Sequence, residues 1–135
     1  MKPNEHKQVA ELLEAMVAEV FPDHYQPNQL RYVEGITQHL MMGDTIYVDN
    51  ELNGFFIIKD VTDIVTPSLV LYEGVRLYIK PHKRNGKLLA EFYAKMFEDF
   101  TDGEIIGITE IESKHIPVLE KRHTRIANVY KLNRS

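Results

Sequence analysis

The sequence contains no cysteine, and no stretch of it is apolar for long. Without cysteine the chain can form no disulfide and has no thiolate for catalysis or metal binding, which favours a cytoplasmic location. No segment approaches the roughly 18 consecutive apolar residues of a membrane-spanning helix. The first residues, MKPNEHKQVAELLEAM, lack the apolar core of a signal peptide. We therefore expect neither a signal peptide nor a membrane partner.

Excess charge and familiar catalytic motifs are also scarce. The formal net charge is −4, which argues mildly against a general nucleic-acid binder. The sequence has no Walker A loop and no Gly-x-Ser-x-Gly motif, and its 6 histidines show no metal-ligand spacing. We expect no nucleic-acid partner and no metal site.

What the sequence does have is the composition of one globular domain. Hydrophobic residues make up 44% of the 135 residues, which is enough for a core at this length. No repeat, linker or low-complexity tract interrupts the chain, so we assign residues 1–135 to a single domain.

The periodicity of apolar residues predicts two helices, a strand hairpin, and then alternating strands and helices. Asn28 is a candidate N-cap of the second helix, and Asn53-Gly54 is a hairpin signal. The predicted helices cover about 5–20, 28–43, 87–100 and 113–123, and the predicted strands cover 45–50, 55–61, 69–79, 104–111 and 125–132. This order predicts an α/β (α+β) fold with a mixed, mostly antiparallel sheet, a central parallel pair and helices on both faces.

The most informative short segment is HKRNGKL, residues 82–88, between a predicted strand and a predicted helix. The start of a helix offers unpaired amides and a partial positive charge. Gly86 would let a ligand approach the backbone closely, and the neighbouring cations would neutralise an anion. The segment either binds a phosphate group or is an ordinary exposed basic loop, and its composition leaves both interpretations open.

Two carboxylates interrupt apolar rows of the predicted strands. Glu73 is either a buried carboxylate with a raised pKa, suited to act as a general base for an amine, or a bulge near Gly74 turns it to solvent. Glu110 follows Ile106 and Ile108 at the carboxyl end of a predicted parallel strand, where open α/β sheets place ligands. The alternative for Glu110 is a polar strand end that leads into a helix cap.

The element order and the segment 79–100 resemble the GCN5-related N-acetyltransferase (GNAT) superfamily. Ile79-Lys80-Pro81 is similar to the V-x-P sequence that ends the family's fourth strand. The next loop stands where an (R/Q)-x-x-G-x-(G/A) motif binds the pyrophosphate of acetyl-CoA. Further along, SKHIPVLEKRH is similar to the family's N-x-x-A-x-x-L-Y-E-K-x-G-F segment.

The loop departs from the family motif in either of two alignments. Counted without a gap, the motif begins at Arg84 and places Lys87 and Leu89 where glycine and a small residue are expected. Counted one residue shorter, it begins at Lys83 and keeps Gly86 as its glycine, but another leucine takes the place of the small residue.

The resemblance implies an N-acetyltransferase that moves the acetyl group of acetyl-CoA to a primary amine of a small molecule or a protein. Glu73 is then the first candidate for the general base and Glu110 the second. Backbone amides around Leu77, Tyr78 and Ile79 would bind the acetyl carbonyl. The residues implied for the pyrophosphate are Lys83, Arg84, Asn85, Gly86, Lys87 and Leu88.

The departures from the motif favour a second hypothesis. Leu119 stands where the family has a tyrosine that protonates the departing thiolate. Short GNAT-like chains with degenerate loops are familiar in tailed-phage genomes, and some of them are virion or accessory proteins. The alternative is therefore a non-catalytic phage protein of the GNAT fold, placed in the host cytoplasm, and a homodimer is open under either hypothesis.

Overall fold

The structure of the protein is a computed structural model that describes residues 5–107 and 132–133. Within these ranges the chain forms helices α1 (His6–Val20), α2 (Gln29–Met41) and α3 (Lys87–Asp99), and strands β1 (Thr45–Val48), β2 (Gly54–Asp60), β3 (Leu71–Ile79) and β4 (Glu104–Gly107). The predicted helix over 113–123 and nearly all of the predicted strand over 125–132 lie outside the described residues. None of the described helices is long and apolar enough to cross a membrane.

The four strands form one mixed sheet in the order β1-β2-β3-β4. β2 pairs antiparallel with both β1 and β3, whereas β3 and β4 are parallel and are joined through α3. A parallel neighbour requires such a crossover, because a short turn cannot return the chain to the same end of the sheet. The predicted sheet, with its parallel pair, is confirmed.

β1 and β2 form the predicted hairpin, but the turn is not built on Asn53-Gly54. Leu52 adopts the positive φ of the turn, at 55°. The Asp49 carboxylate accepts hydrogen bonds from the amides of Asn53 and Gly54 at 2.7 and 3.1 Å. Gly54 instead begins β2, where an added Cβ would lie 2.6 Å from the Tyr78 carbonyl oxygen of β3.

Helices cover both faces of the sheet, as predicted. Successive residues of β2 alternate between the two faces: Phe55 and Ile57 pack with α1 and α2, and Phe56 and Ile58 pack with α3. We call these the α1–α2 face and the α3 face. The helices contribute buried apolar stripes to them, namely Val9, Leu12, Leu13 and Met16 from α1, Tyr32 and Ile36 from α2, and Leu88, Phe92 and Met96 from α3.

Two apolar residues that the helical spacing places next to these stripes point to solvent instead. Leu30 of α2 is 64% exposed and Phe97 of α3 is 62% exposed. With 3.6 residues per turn, Leu30 lies about 120° around its helix from the buried Ile36, and Phe97 lies about 100° from the buried Met96. Each stripe is therefore narrower than the sequence pattern suggested.

The close approach of the α3–β4 connection to the start of β3 generates a stability prediction. Gly103 has a φ of +78°, and an added Cβ would lie 2.5 Å from the Val70 carbonyl oxygen. Gly43 has a φ of +79° but open space around it. We expect Gly43→Ala to lower the free energy of unfolding by about 1 kcal/mol through backbone strain alone. Gly103→Ala should cost roughly 1–3 kcal/mol more, because the methyl group also collides with backbone. Urea denaturation of both variants measures the difference, and equal losses would contradict the close approach.

Candidate functional site

β3 contains a β-bulge next to Gly74. Ile57 of β2 pairs with Arg76, but the next residue, Ile58, pairs with Gly74, so Val75 is an extra residue in β3. A bulge leaves the extra residue unpaired and changes the phase in which side chains alternate. The bulge considered in the sequence is thus confirmed, one residue beyond the glycine.

Gly74 has a packing role beside this bulge. An added Cβ would lie 3.0 Å from an edge carbon of the Phe56 ring on the α3 face. That ring also packs edge-on against Phe92 and Tyr93 of α3, with centroid separations of 6.5 and 5.9 Å. The absence of a side chain at Gly74 therefore allows the Phe56 ring, part of the aromatic cluster under α3, to pack directly against β3 beside the bulge.

Glu73 is half-buried on the α1–α2 face, just before the bulge. Its pairing partner on the neighbouring strand β2 is Lys59. The Lys59 Nζ lies 3.2 Å from Asp44 Oδ1 on the same face. Glu73 itself makes no hydrogen bond with another of the described side chains. Neither interpretation from the sequence is complete, because the bulge exists and yet leaves this carboxylate partly covered.

The segment Leu77–Ile79 follows the bulge at the end of β3. It pairs on one side with Gly54–Phe56 of β2, while the pairing of β3 with β4 covers Leu71–Gly74 in the described residues. Alternate amides of an antiparallel strand point away from its partner. Some amides of Leu77–Ile79 are therefore directed to the opposite edge of β3, the edge on which β4 lies.

The loop after β3 turns sharply into α3. Pro81–Lys83 form a short 3-10 helix, and Gly86, with a φ of 87°, is the N-cap of α3. The Asn85 side-chain oxygen accepts a hydrogen bond from the Lys87 amide at 3.1 Å. An added Cβ at Gly86 would meet nothing within 4 Å, so the space beside the cap is open.

The first turn of α3 presents backbone donors toward this loop. The first helical hydrogen bond runs from the Ala90 amide to the Gly86 carbonyl at 3.1 Å. The amides of Leu88 and Leu89 donate to no acceptor among the described residues. Such amides carry the partial positive charge of the helix N-terminus, which favours an anion.

The two leucines at the start of α3 have different surroundings. Leu88 is 9% exposed and packs in the cluster under α3, whereas Leu89 is half-buried and Lys87 is exposed. The Leu88 side chain therefore points to the sheet. This agrees with the ungapped alignment that begins at Arg84, in which Lys87 and Leu89 occupy the positions of glycine and the small residue.

Arg84 ties the loop to α1. Its Nη1 and Nη2 donate to the two carboxylate oxygens of Glu19 at 2.7 and 2.6 Å, and its Nε donates to the Ile79 carbonyl at 2.7 Å. The guanidinium also lies 5.5 Å from the centroid of the Tyr78 ring. The hydrogen bonds to Glu19 raise the pKa of Arg84 above its usual value. In this conformation Arg84 fixes the loop, and both Nη groups are already engaged.

A polar cluster on the α1–α2 face was missed in the sequence. Asp44, with a side chain only 3% exposed, lies 2.7 Å from His39 Nδ1 and also accepts from Lys59. His39 Nε2 accepts a hydrogen bond from Arg76 Nε at 3.1 Å. One signal was available: Gly43, with its positive φ, ends α2 and brings Asp44 back to His39, whose carbonyl accepts the Asp44 amide at 3.0 Å. Arg76 joins this cluster because the bulge places it on the α1–α2 face.

Two further predictions concern the second candidate base and a metal site. Glu110, the second candidate base, lies outside the described residues. Over 5–107 and 132–133, no three His, Asp or Glu side chains are grouped so that they could hold a metal ion.

Neither a protein-family model nor a curated protein matches this sequence, but solved structures match its fold. A possible acetyltransferase from Clostridium difficile 630 superposes with a TM-score of 0.74 at 10% identity, over 100% of this chain and 95% of the other. The ribosomal-protein-alanine N-acetyltransferase from Brucella melitensis biovar Abortus 2308 gives 0.68 at 19% identity, with the same coverage. An acetyltransferase-like protein from Desulfovibrio desulfuricans, assigned to the GNAT family, gives 0.59 at 18% identity, over 89% and 76% of the two chains. The chain therefore has the GNAT fold.

The Arg84–Glu19 pair generates a second stability prediction. Both side chains are 42% exposed, so we expect a coupling of about 0.5 kcal/mol at low salt, typical of an exposed ion pair. A double-mutant cycle with Arg84→Gln and Glu19→Gln measures it by urea denaturation. The coupling should shrink in 0.5 M NaCl, roughly the range in which salt screens exposed charges. The same cycle with Arg31→Gln in place of Arg84→Gln should give no coupling. A salt-independent coupling, or none at low salt, would contradict an ion pair that holds the loop.

Proposed function

We propose that this protein transfers the acetyl group of acetyl-CoA to a primary amine of a small molecule or a protein. The observation that carries the proposal is the arrangement at the end of β3 on a GNAT fold. There, a bulged strand leads through a glycine-capped turn into α3, whose first amides are unpaired among the described residues. Strand amides, helix amides and a half-buried carboxylate thus lie along one short stretch of chain.

The start of α3 fits a diphosphate. The amides of Leu88 and Leu89 are available donors, and the open space at Gly86 permits a ligand to approach the backbone. Lys83 and Lys87 add positive charge at the surface of the same turn, and Asn85 shapes it. Arg84 would act by holding the turn in place. Because the Leu88 side chain packs against the sheet, it does not take up the space beside these amides.

The end of β3 fits the acetyl end of the substrate. The Lys80 amide donates to the Asn53 carbonyl, so by alternation the Tyr78 amide also faces β2, and the amides of Leu77 and Ile79 point away from it. These two amides would donate to the acetyl carbonyl oxygen and stabilise the charge that develops there. The position of Tyr78 is fixed because its ring packs in the core on the α1–α2 face. A fixed backbone donor needs no reorganisation during the reaction, which is the property this role requires.

Glu73 is the proposed general base. A protonated amine cannot attack, so a carboxylate near the acceptor must take its proton, directly or through one water. The nitrogen then forms a bond to the acetyl carbon as the carbon–sulfur bond breaks. The second proton of that nitrogen passes, directly or through water, to the departing thiolate of coenzyme A, which leaves as the free thiol. Lys59, opposite Glu73, is already bound to Asp44, which leaves the Glu73 carboxylate available. Glu110 remains the second candidate.

One observation favours a non-catalytic interaction protein of the same fold. Arg84 is engaged by Glu19, and Lys87 and Leu89 occupy positions where the family motif has smaller residues. If these side chains close the turn to coenzyme A, the fold would serve only as a scaffold, as in the phage alternative. Binding and turnover separate the two functions.

The first test is binding of coenzyme A. Thermal or chemical denaturation should show stabilisation of about 2.7 kcal/mol at a ligand concentration one hundred times the dissociation constant. Lys87→Glu should weaken binding about tenfold or more, because it places a carboxylate beside the diphosphate. Lys95→Glu, with the same charge change two turns further along α3, is the matched control and should bind normally. No stabilisation at millimolar coenzyme A would reject the transferase and support the scaffold.

The second test concerns Glu73. With acetyl-CoA and a panel of primary amines, release of free coenzyme A thiol reports turnover. Glu73→Gln should lower kcat by about 10²–10⁴-fold at neutral pH, the usual contribution of a general base, and should leave coenzyme A affinity unchanged. Glu104→Gln on the neighbouring strand is the control and should keep its activity. Full activity of Glu73→Gln would remove Glu73 from the mechanism.

A further inference from the structure

A small cavity opens on the α1–α2 face beside the bulge. Its volume is about 190 Å³. The lining combines apolar walls with three polar side chains, and it consists of Leu13, Gly35, Gln38, His39, Met42 and Arg76. It is thus formed by residues of α1, α2 and β3 together with Met42, which directly follows α2.

Arg76 is held at this cavity by a chain of hydrogen bonds. A guanidinium can only donate, so His39 Nε2 must accept from Arg76 Nε. His39 Nδ1 therefore carries the hydrogen and donates it to Asp44 Oδ2 at 2.7 Å. Asp44 is also held by Lys59, at 3.2 and 3.3 Å. In this arrangement the imidazole donates at Nδ1 and accepts at Nε2, and it orients the guanidinium of Arg76.

Among residues 5–107 and 132–133, the outer part of the Arg76 guanidinium has no such partner. Within the part of the chain that the structure describes, Nη1 and Nη2 of Arg76 make no hydrogen bond, and no carboxylate forms an ion pair with it. Arg84 differs, since Glu19 engages both of its Nη groups. Asp44 is balanced by Lys59, which leaves the positive charge of Arg76 uncompensated. Two parallel N–H groups on a held guanidinium match the two oxygens of a carboxylate.

The bulge places the Arg76 guanidinium on the same face of the sheet as Glu73. The two residues are three positions apart, so strict alternation would have placed them on opposite faces. With the extra residue they share the α1–α2 face, about 7–10 Å apart along the strand. A negative and a positive group at this spacing complement a molecule that has an ammonium at one end and a carboxylate at the other.

We propose that Arg76 and the cavity beside it bind a carboxylate of the acceptor, so that the acceptor is an amino acid or a related amine bearing a carboxylate. This assignment rests on the proposed acetyl transfer, because Glu73 would receive the proton of the amine. The apolar walls from Leu13 and Met42 would cover the carbon chain between the two charged ends. His39 and Asp44 are positioning residues that act through Arg76.

The test is a titration of the ¹⁵N-labelled protein, without acetyl-CoA, followed at the side-chain Nε–H resonance of Arg76. The probes are 6-aminohexanoate, hexanoate and 1-aminohexane, which have the same chain length but differ in their charged ends. We expect saturable shifts with the two carboxylates and none with 1-aminohexane. Saturable binding should be lost in Arg76→Gln and kept in Arg31→Gln, the control on α2. Equal shifts with 1-aminohexane, no shift with either carboxylate, or binding that survives in Arg76→Gln would each overturn the assignment.

A second measurement separates this assignment from the transferase itself. In acetyl transfer to 6-aminohexanoate, Arg76→Gln should raise KM at least about tenfold and should leave KM for 1-aminohexane unchanged. An unchanged KM for both amines overturns the carboxylate site and leaves the transferase standing. Saturable carboxylate binding without any turnover supports the site and counts against the transferase.

Discussion

The extra residue in β3 determines what the rest of the candidate site can be. Val75 is unpaired between Gly74 and Arg76, and this single insertion places Glu73 and Arg76 on one face of the sheet. Past the bulge, Tyr78 is buried in the core of the α1–α2 face. Before the bulge, residues Leu71–Gly74 of β3 pair in parallel with β4. One backbone irregularity therefore places the Glu73 carboxylate, the Arg76 guanidinium and the buried Tyr78 ring on the same face.

Two arginines, one beside the bulge and one in the turn before α3, differ in how many of their guanidinium nitrogens are engaged by other residues. Arg84 is engaged at Nε and at both Nη groups, by Ile79 and Glu19, and it joins the turn before α3 to the end of α1. Among the described residues, Arg76 is engaged only at Nε, by His39. The first arginine keeps the α3 amides in place beside β3, and the second is the one we propose for binding a ligand. The family motif drew attention to Arg84 in the sequence, whereas no motif contains Arg76.

Local patterns predicted the described helices and strands and their sheet, because each carries its own apolar periodicity and a parallel pair needs a crossover. The bulge was visible as a carboxylate in an apolar row beside a glycine, but its exact register depends on how β3 pairs with β2. The hairpin turn differs from the predicted Asn-Gly turn because the amides of Asn53 and Gly54 donate hydrogen bonds to the Asp49 carboxylate. The addition of Arg76 to the pair of His39 and Asp44 could not be predicted, since it joins a helix end to a strand distant in sequence. Such contacts are set by packing and leave no periodic trace.

A crystal structure of the protein with coenzyme A would test most directly whether the bulged end of β3 and the start of α3 form one acetyl-transfer site. We predict that the diphosphate lies within hydrogen-bonding distance of the Leu88 and Leu89 amides, with the thiol end reaching along Leu77–Ile79 toward Glu73. A structure in which the Lys87 and Leu89 side chains fill this turn, or in which the nucleotide binds elsewhere on the protein, would contradict that claim.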